Sequence, residues 1–134
     1  MHHTATVRRL PDLDLDLLAV PEAVPELRRA VRRRLVGTCD EVELCVTELV
    51  ANVIRHVGEG TPVRVRVFRA DGAGRIRVEV ADPDARALPV LRQATDEDEA
   101  GRGLRILDEL ALRWGVELWA GGKTVWCEVA ENPA

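Results

Sequence analysis

Lysine is nearly missing from this chain: Lys123 is the one lysine, and the rest of the nineteen basic residues are arginine, a bias that reflects GC-rich coding. Those arginines are dispersed and the net charge is −4, which excludes the basic face of a nucleic-acid binder. Tyrosine is absent, and nothing basic interleaves with Trp114, Trp119 and Trp126, so these read as packing residues rather than a base-stacking platform. Three cysteines without CxxC spacing make neither a zinc site nor a disulfide framework and point to the reducing cytoplasm. No apolar run approaches the roughly 20 residues of a membrane span. The amino end has no apolar signal core, so neither membrane insertion nor export is expected. There is no internal repeat and no linker. His2 and His3 carry no weight.

What is present fits one globular domain over residues 1–134, with 46% apolar and 31% charged residues. Residues 4–10 and 13–20 read as short strands broken at Pro11. Pro21 to Gly37 reads as a helix, with Val24, Leu27, Val31 and Leu35 on one face. Arg28, Arg29, Arg32, Arg33 and Arg34 lie on the other face, as a solvated surface or a dock for an acidic partner. Thr38 and Glu41 form a capping box that opens a second helix, whose stripe is Val42, Cys45, Val46, Leu49, Val50, Val53 and Val57. Gly58 and Gly60 stop it. Val63–Phe68 and Ile76–Val80 alternate around Asp71-Gly72, a hairpin signal. Residues 83–100 read as a loop or lid. Leu104, Leu107, Leu110, Ala111 and Trp114 mark a third helix, and 115–120 with 124–130 a second hairpin. An α+β, two-layer sandwich follows: a mixed, mainly antiparallel sheet with its helices on one face.

Polar residues break the apolar pattern in a few places. Glu48, Asn52 and His56 recur every four residues, on one line of the second helix. A carboxylate beside an amide oxygen suits Mg²⁺, and Glu48 alternatively orients or deprotonates a hydroxyl nucleophile. Arg55 and His56, one turn on, suit phosphate oxygens. Asp82 closes a strand, where a carboxylate accepts a hydrogen bond from an exocyclic amine. Gly101-Arg102-Gly103-Leu104 opens a helix, where free amides attract anions. Thr124, after Gly122-Lys123, starts the last strand, where its hydroxyl can reach the base that carries such an amine. Each feature alone has a bland reading: a solvated helix edge, an Asp-Pro turn, an ordinary helix start, a good β residue.

As an ordered set, from about Val24 to Val129, they resemble the GHKL (Bergerat-fold) ATP-binding superfamily, nearest to the anti-sigma factor serine/threonine kinases. The resemblance implies that Asn52 ligates Mg²⁺ and that Glu48 stands where the family's catalytic base lies. It places Arg55 and His56 near the phosphates, Asp82 on the adenine amine with Thr124 in support, and Gly101, Arg102, Gly103 and Leu104 in the lid. The implied cofactors are ATP and Mg²⁺. The implied partners are a sigma factor and a STAS-type antagonist protein that the kinase phosphorylates. Dimerisation, frequent in such kinases, is left open.

One departure stands out. Where the family carries Asp-x-Gly, this chain has Asp82-Pro83-Asp84, which removes a backbone position of close approach. A non-catalytic protein-binding module with weakened or lost ATP binding is therefore the rival expectation. The catalytic half of a sensor histidine kinase is disfavoured, because no phosphoacceptor helix pair or membrane segment is expected.

Overall fold

A computed structural model of the chain describes residues 10–35, 40–70, 74–84 and 107–131. Five strands and two long helices appear in the order β1 (Leu13–Ala19), α1 (Ala23–Arg34), α2 (Asp40–His56), β2 (Thr61–Ala70), β3 (Arg75–Asp82), β4 (Arg113–Trp119) and β5 (Gly122–Ala130). Residues 107–110 are also helical. The sheet runs β1-β2-β3-β5-β4, and all four neighbouring pairs are antiparallel.

Alternation along the strands sends one set of side chains to the helices and the other away from them. Val65 and Val67 pair with Val80 and Val78, which in turn pair with Val125 and Cys127. Together with Leu27 and Val31 of α1, and Val42, Cys45, Val46, Leu49, Val50 and Val53 of α2, they form the buried core between the layers. The opposite sheet face is a lattice of ion pairs, among them Arg64–Asp14, Arg66–Glu79 and Arg113–Glu128. The Arg77 guanidinium lies 4.2 Å from the Trp126 ring on that face.

α1 keeps the predicted apolar face but leaves helical geometry at Leu35. Its arginine cluster is partly committed to packing: Arg32 and Arg28 donate to Glu43 of α2, at 2.9 and 3.4 Å. α2 spans the predicted stripe from Val42 to Val53, leaves Val57 just past its end and stops before the glycines. The amides of Val57 and Gly58 both donate to Val53 O, and Gly58 and Gly60 take positive φ values of 142° and 92° that a side chain resists. The capping residue Thr38, the turn Asp71-Gly72, the early segment 4–9 and the lid from 85 onward lie outside the described residues.

The third helix ends earlier than its apolar spacing suggests, at Leu110. Trp114 belongs to β4, not to a helix. The Leu112 amide already donates to Glu128 O at 2.7 Å, so pairing with β5 captures the chain there. Gly115 sits under the Trp126 ring, where a Cβ would lie 3.0 Å from it. That cross-strand fit starts the second hairpin at Arg113, two residues before the expected 115.

Candidate functional site

The carboxyl half of α2 crosses the ends of β3 and β5. There Asn52 and His56 meet Asp82 in one cleft, with Leu49, Val53, Val80 and Val125 as its apolar walls. Asn52 is only 5% exposed, and neither its Nδ2 nor its Oδ1 has a hydrogen-bond partner. Burying an amide without partners costs about 1–3 kcal/mol, so folding alone gives no reason for this residue. An unpaired carbonyl oxygen at this place is a fitting ligand for a hard cation. Among the described residues no three His, Cys, Asp or Glu side chains converge, so a cation here would take its other ligands from a bound anion or water.

Glu48 stands one turn before Asn52 and lies outside the cleft's lining. It faces Arg55 across 3.9 Å, a long, partly exposed pair of small energetic weight. Arg55 and His56 are exposed at the end of α2.

Asp82 is in the cleft but not idle. Its Oδ1 accepts the Asp84 amide at 2.8 Å, the two-residue turn expected of an Asp-Pro-Asp segment, and the Lys123 ammonium at 3.1 Å. Its Oδ2 lies 3.0 Å from the same ammonium yet makes no hydrogen bond. Lys123 also donates to Asp84 O at 2.8 Å. Asp82 and Lys123 are each 2% exposed, so the pair is fully enclosed.

Thr124 does not join this group. Register sets Asp82 opposite Lys123 and Ala81 opposite Thr124, and the period of two turns Thr124 to the far face of the sheet. There its hydroxyl accepts the Trp119 indole N–H at 3.1 Å. The Thr124 assignment is thus corrected: the residue of β5 that faces Asp82 is Lys123. Its signal was present in the sequence, since Lys123 is in phase with Val125, Cys127 and Val129. Gly101, Arg102, Gly103 and Leu104 lie outside the described residues.

The cleft has a free volume of about 10 Å³, room for at most one water. A wider groove of about 850 Å³ lies on the far face, between Leu18, Arg64, Glu117 and Trp119. Of the sequence candidates only Asp82 and Thr124 border that groove, and Asp82 turns its carboxylate the other way. The cleft, with the unpaired amide, is the better candidate.

Comparison with known proteins bears on the family and the fold. The model of the histidine kinase-like ATPase domain matches residues 15–128. An uncharacterized protein of Streptomyces coelicolor is 46% identical over 89 residues, which span 66% of this chain and 84% of that protein. The RsbU and RsbW domains of a Mycobacterium tuberculosis protein superpose with a TM-score of 0.64 at 20% identity, over 92% of this chain and 32% of that one. The catalytic domain of the histidine kinase ThkA superposes with a TM-score of 0.50 at 13% identity, over 91% of this chain and 99% of that one. At such identities the two structures speak for the fold alone. Among the described residues no helix is long and apolar enough to cross a membrane.

Proposed function

Because the chain belongs to the histidine kinase-like ATPase domain family, we propose that it is an ATP-dependent serine/threonine protein kinase that regulates transcription by partner switching. In this reading it binds a sigma factor and phosphorylates a STAS-type antagonist. The observation that carries the reading is the buried, unpaired amide of Asn52 in the same cleft as Asp82.

Asn52 Oδ1 is this chain's own ligand for magnesium. Bound with the triphosphate, the metal supplies neutralisation of phosphate charge. Glu48, one turn away and partly exposed, takes the proton of the acceptor hydroxyl, with the Arg55 guanidinium 3.9 Å from its carboxylate. Arg55 and His56 at the helix end face the phosphates, and the family resemblance assigns Gly101, Arg102, Gly103 and Leu104 to the lid. Asp82 receives the amine of the base. Thr124 has no part. A sigma factor and a STAS-type protein as partners rest on the sequence resemblance to the anti-sigma factor serine/threonine kinases.

The test is transfer of labelled phosphate from ATP to candidate STAS-type proteins. Transfer by the wild type, lost in Asn52→Ala and Glu48→Gln with the fold intact by circular dichroism, supports the proposal. ATP affinity unchanged in Asn52→Ala removes the site assignment.

A second reading is favoured by one observation: the base end of the cleft is closed and its carboxylate is already paired. On that reading the domain captures a partner without nucleotide turnover. Partner binding that is indifferent to ATP, with no phosphate transfer, distinguishes it.

A further inference from the structure

Lys123 is the one charged group of the cleft that the phosphoryl-transfer reading leaves without a task. We infer that Lys123 plugs the base end of the site: its ammonium occupies the Asp82 carboxylate that a nucleobase amine needs, so Lys123 sets nucleotide affinity. This deepens the ATP-binding reading and rests on it.

The plug is built from within the chain. Lys123 Nζ donates to Asp82 Oδ1 at 3.1 Å and to Asp84 O at 2.8 Å, and lies 3.0 Å from Asp82 Oδ2. Strand register places the two residues directly opposite each other, so the contact does not depend on a chance rotamer of a surface lysine. An ammonium binds a carboxylate more strongly than a neutral amine does at the same distance, because its charge adds to the hydrogen bond. The exchange of ammonium for base is therefore uphill, and it leaves a buried cation in search of another partner.

Space points the same way. A pocket for a small organic ligand measures roughly 300 Å³ or more, whereas this cleft offers about 10 Å³ with Lys123 among its walls. Removal of the lysine stem therefore opens room and frees the carboxylate together. The two ends of the site differ: the Asn52 amide is unpaired, while the Asp82 carboxylate is paired.

The test titrates ATP–Mg²⁺, and separately tripolyphosphate–Mg²⁺, into the full chain as wild type, Lys123→Thr and Lys123→Gln, each checked by circular dichroism. The glutamine variant keeps a polar partner for Asp82 should the threonine variant unfold. ATP affinity is expected to rise at least ~10-fold in Lys123→Thr, the scale of one charge-assisted hydrogen bond. A smaller rise is expected in Lys123→Gln, and none for tripolyphosphate. Adding Asn52→Ala to Lys123→Thr returns binding to baseline. Equal ATP affinity in wild type and variants overturns the plug and leaves the nucleotide reading standing. Weaker binding in the variants also overturns it, since Lys123 is then a ligand contact. An equal gain for tripolyphosphate overturns it as mere loosening of the cleft. No binding by any of the folded proteins removes the nucleotide reading and the plug together.

Discussion

The carbonyl oxygen of Asp82 rests directly on the α-carbon of Gly122. A Cβ at position 122 would overlap that oxygen and lie 2.8 Å from Pro83 Cα. The glycine is required here for close approach rather than for turn geometry. It lets the end of β3 lie against the start of β5, and so seats the Asp82 carboxylate against Lys123.

Gly122→Ala is expected to push the Asp82-Pro83 backbone away. Overpacking of this kind costs about 1–3 kcal/mol. A urea melt should show a lower midpoint with an unchanged slope, and an unchanged midpoint would mean that the contact is softer than described.

Asn52→Leu is expected to stabilise the domain while ending any nucleotide binding. The substitution removes two unpaired buried polar atoms, whose burial costs about 1–3 kcal/mol, and adds apolar contact with Leu49 and Val53. Chemical denaturation measures the sign. A clear loss of stability would show that the amide is satisfied in solution.

The enclosed Asp82–Lys123 pair makes single and double substitutions diverge. Lys123→Met leaves a carboxylate that is 2% exposed without its cation, at a cost of about 3–5 kcal/mol. Asp82→Leu combined with Lys123→Met removes both charges and should recover most of that loss. A double-mutant cycle reads the coupling, and additive effects would contradict the pairing.

Acid should loosen the contact between α1 and α2. The hydrogen bond from Arg32, and then that from Arg28, hold the Glu43 carboxyl below its ordinary value of 4.5. Arg113 does the same for Glu128 across β4 and β5. A depressed folded value means that the native state favours the ionised form. The stabilisation is complete above pH 4.5 and is lost as pH falls through the depressed folded value. Glu43→Gln should therefore differ most from wild type at neutral pH, and thermal melts of the two should converge in acid. A gap that widens in acid would reverse the assignment.

Cys45 and Cys127 are free and buried side by side in the core. The hydrogen bond with Cys45, then burial, raises Cys127 well above an ordinary thiol. Reagents that need a thiolate are expected to spare Cys127 until the domain unfolds, as mass spectrometry across a denaturant series would show.

Much of the fold was legible because local periodicity records which face of an element meets the core. The stripe from Val42 to Val53 and the alternation of Val63–Val67 and Ile76–Val80 specified α2 and the first hairpin without reference to the rest of the chain. Asn52 stood out for the same reason, as a polar residue in phase with buried ones. Thr124 and Trp114 were misassigned because their neighbours outweigh local preference. Trp114 satisfies a helical period and a strand alternation alike, and only β5, through the Leu112–Glu128 bond, chooses the strand. Thr124 follows a glycine-lysine pair that reads as an entry to the site, yet the facing of β5 is a matter of registration against β3.

The sequence by itself thus determined α2, the first hairpin, their apolar faces and the polar line on α2, since each depends on spacing within one segment. Tertiary structure alone decided that Asp82 meets Lys123 and not Thr124. Two strands forty residues apart come into register only through the ladder between them, and a shift of one residue turns every side chain to the opposite face.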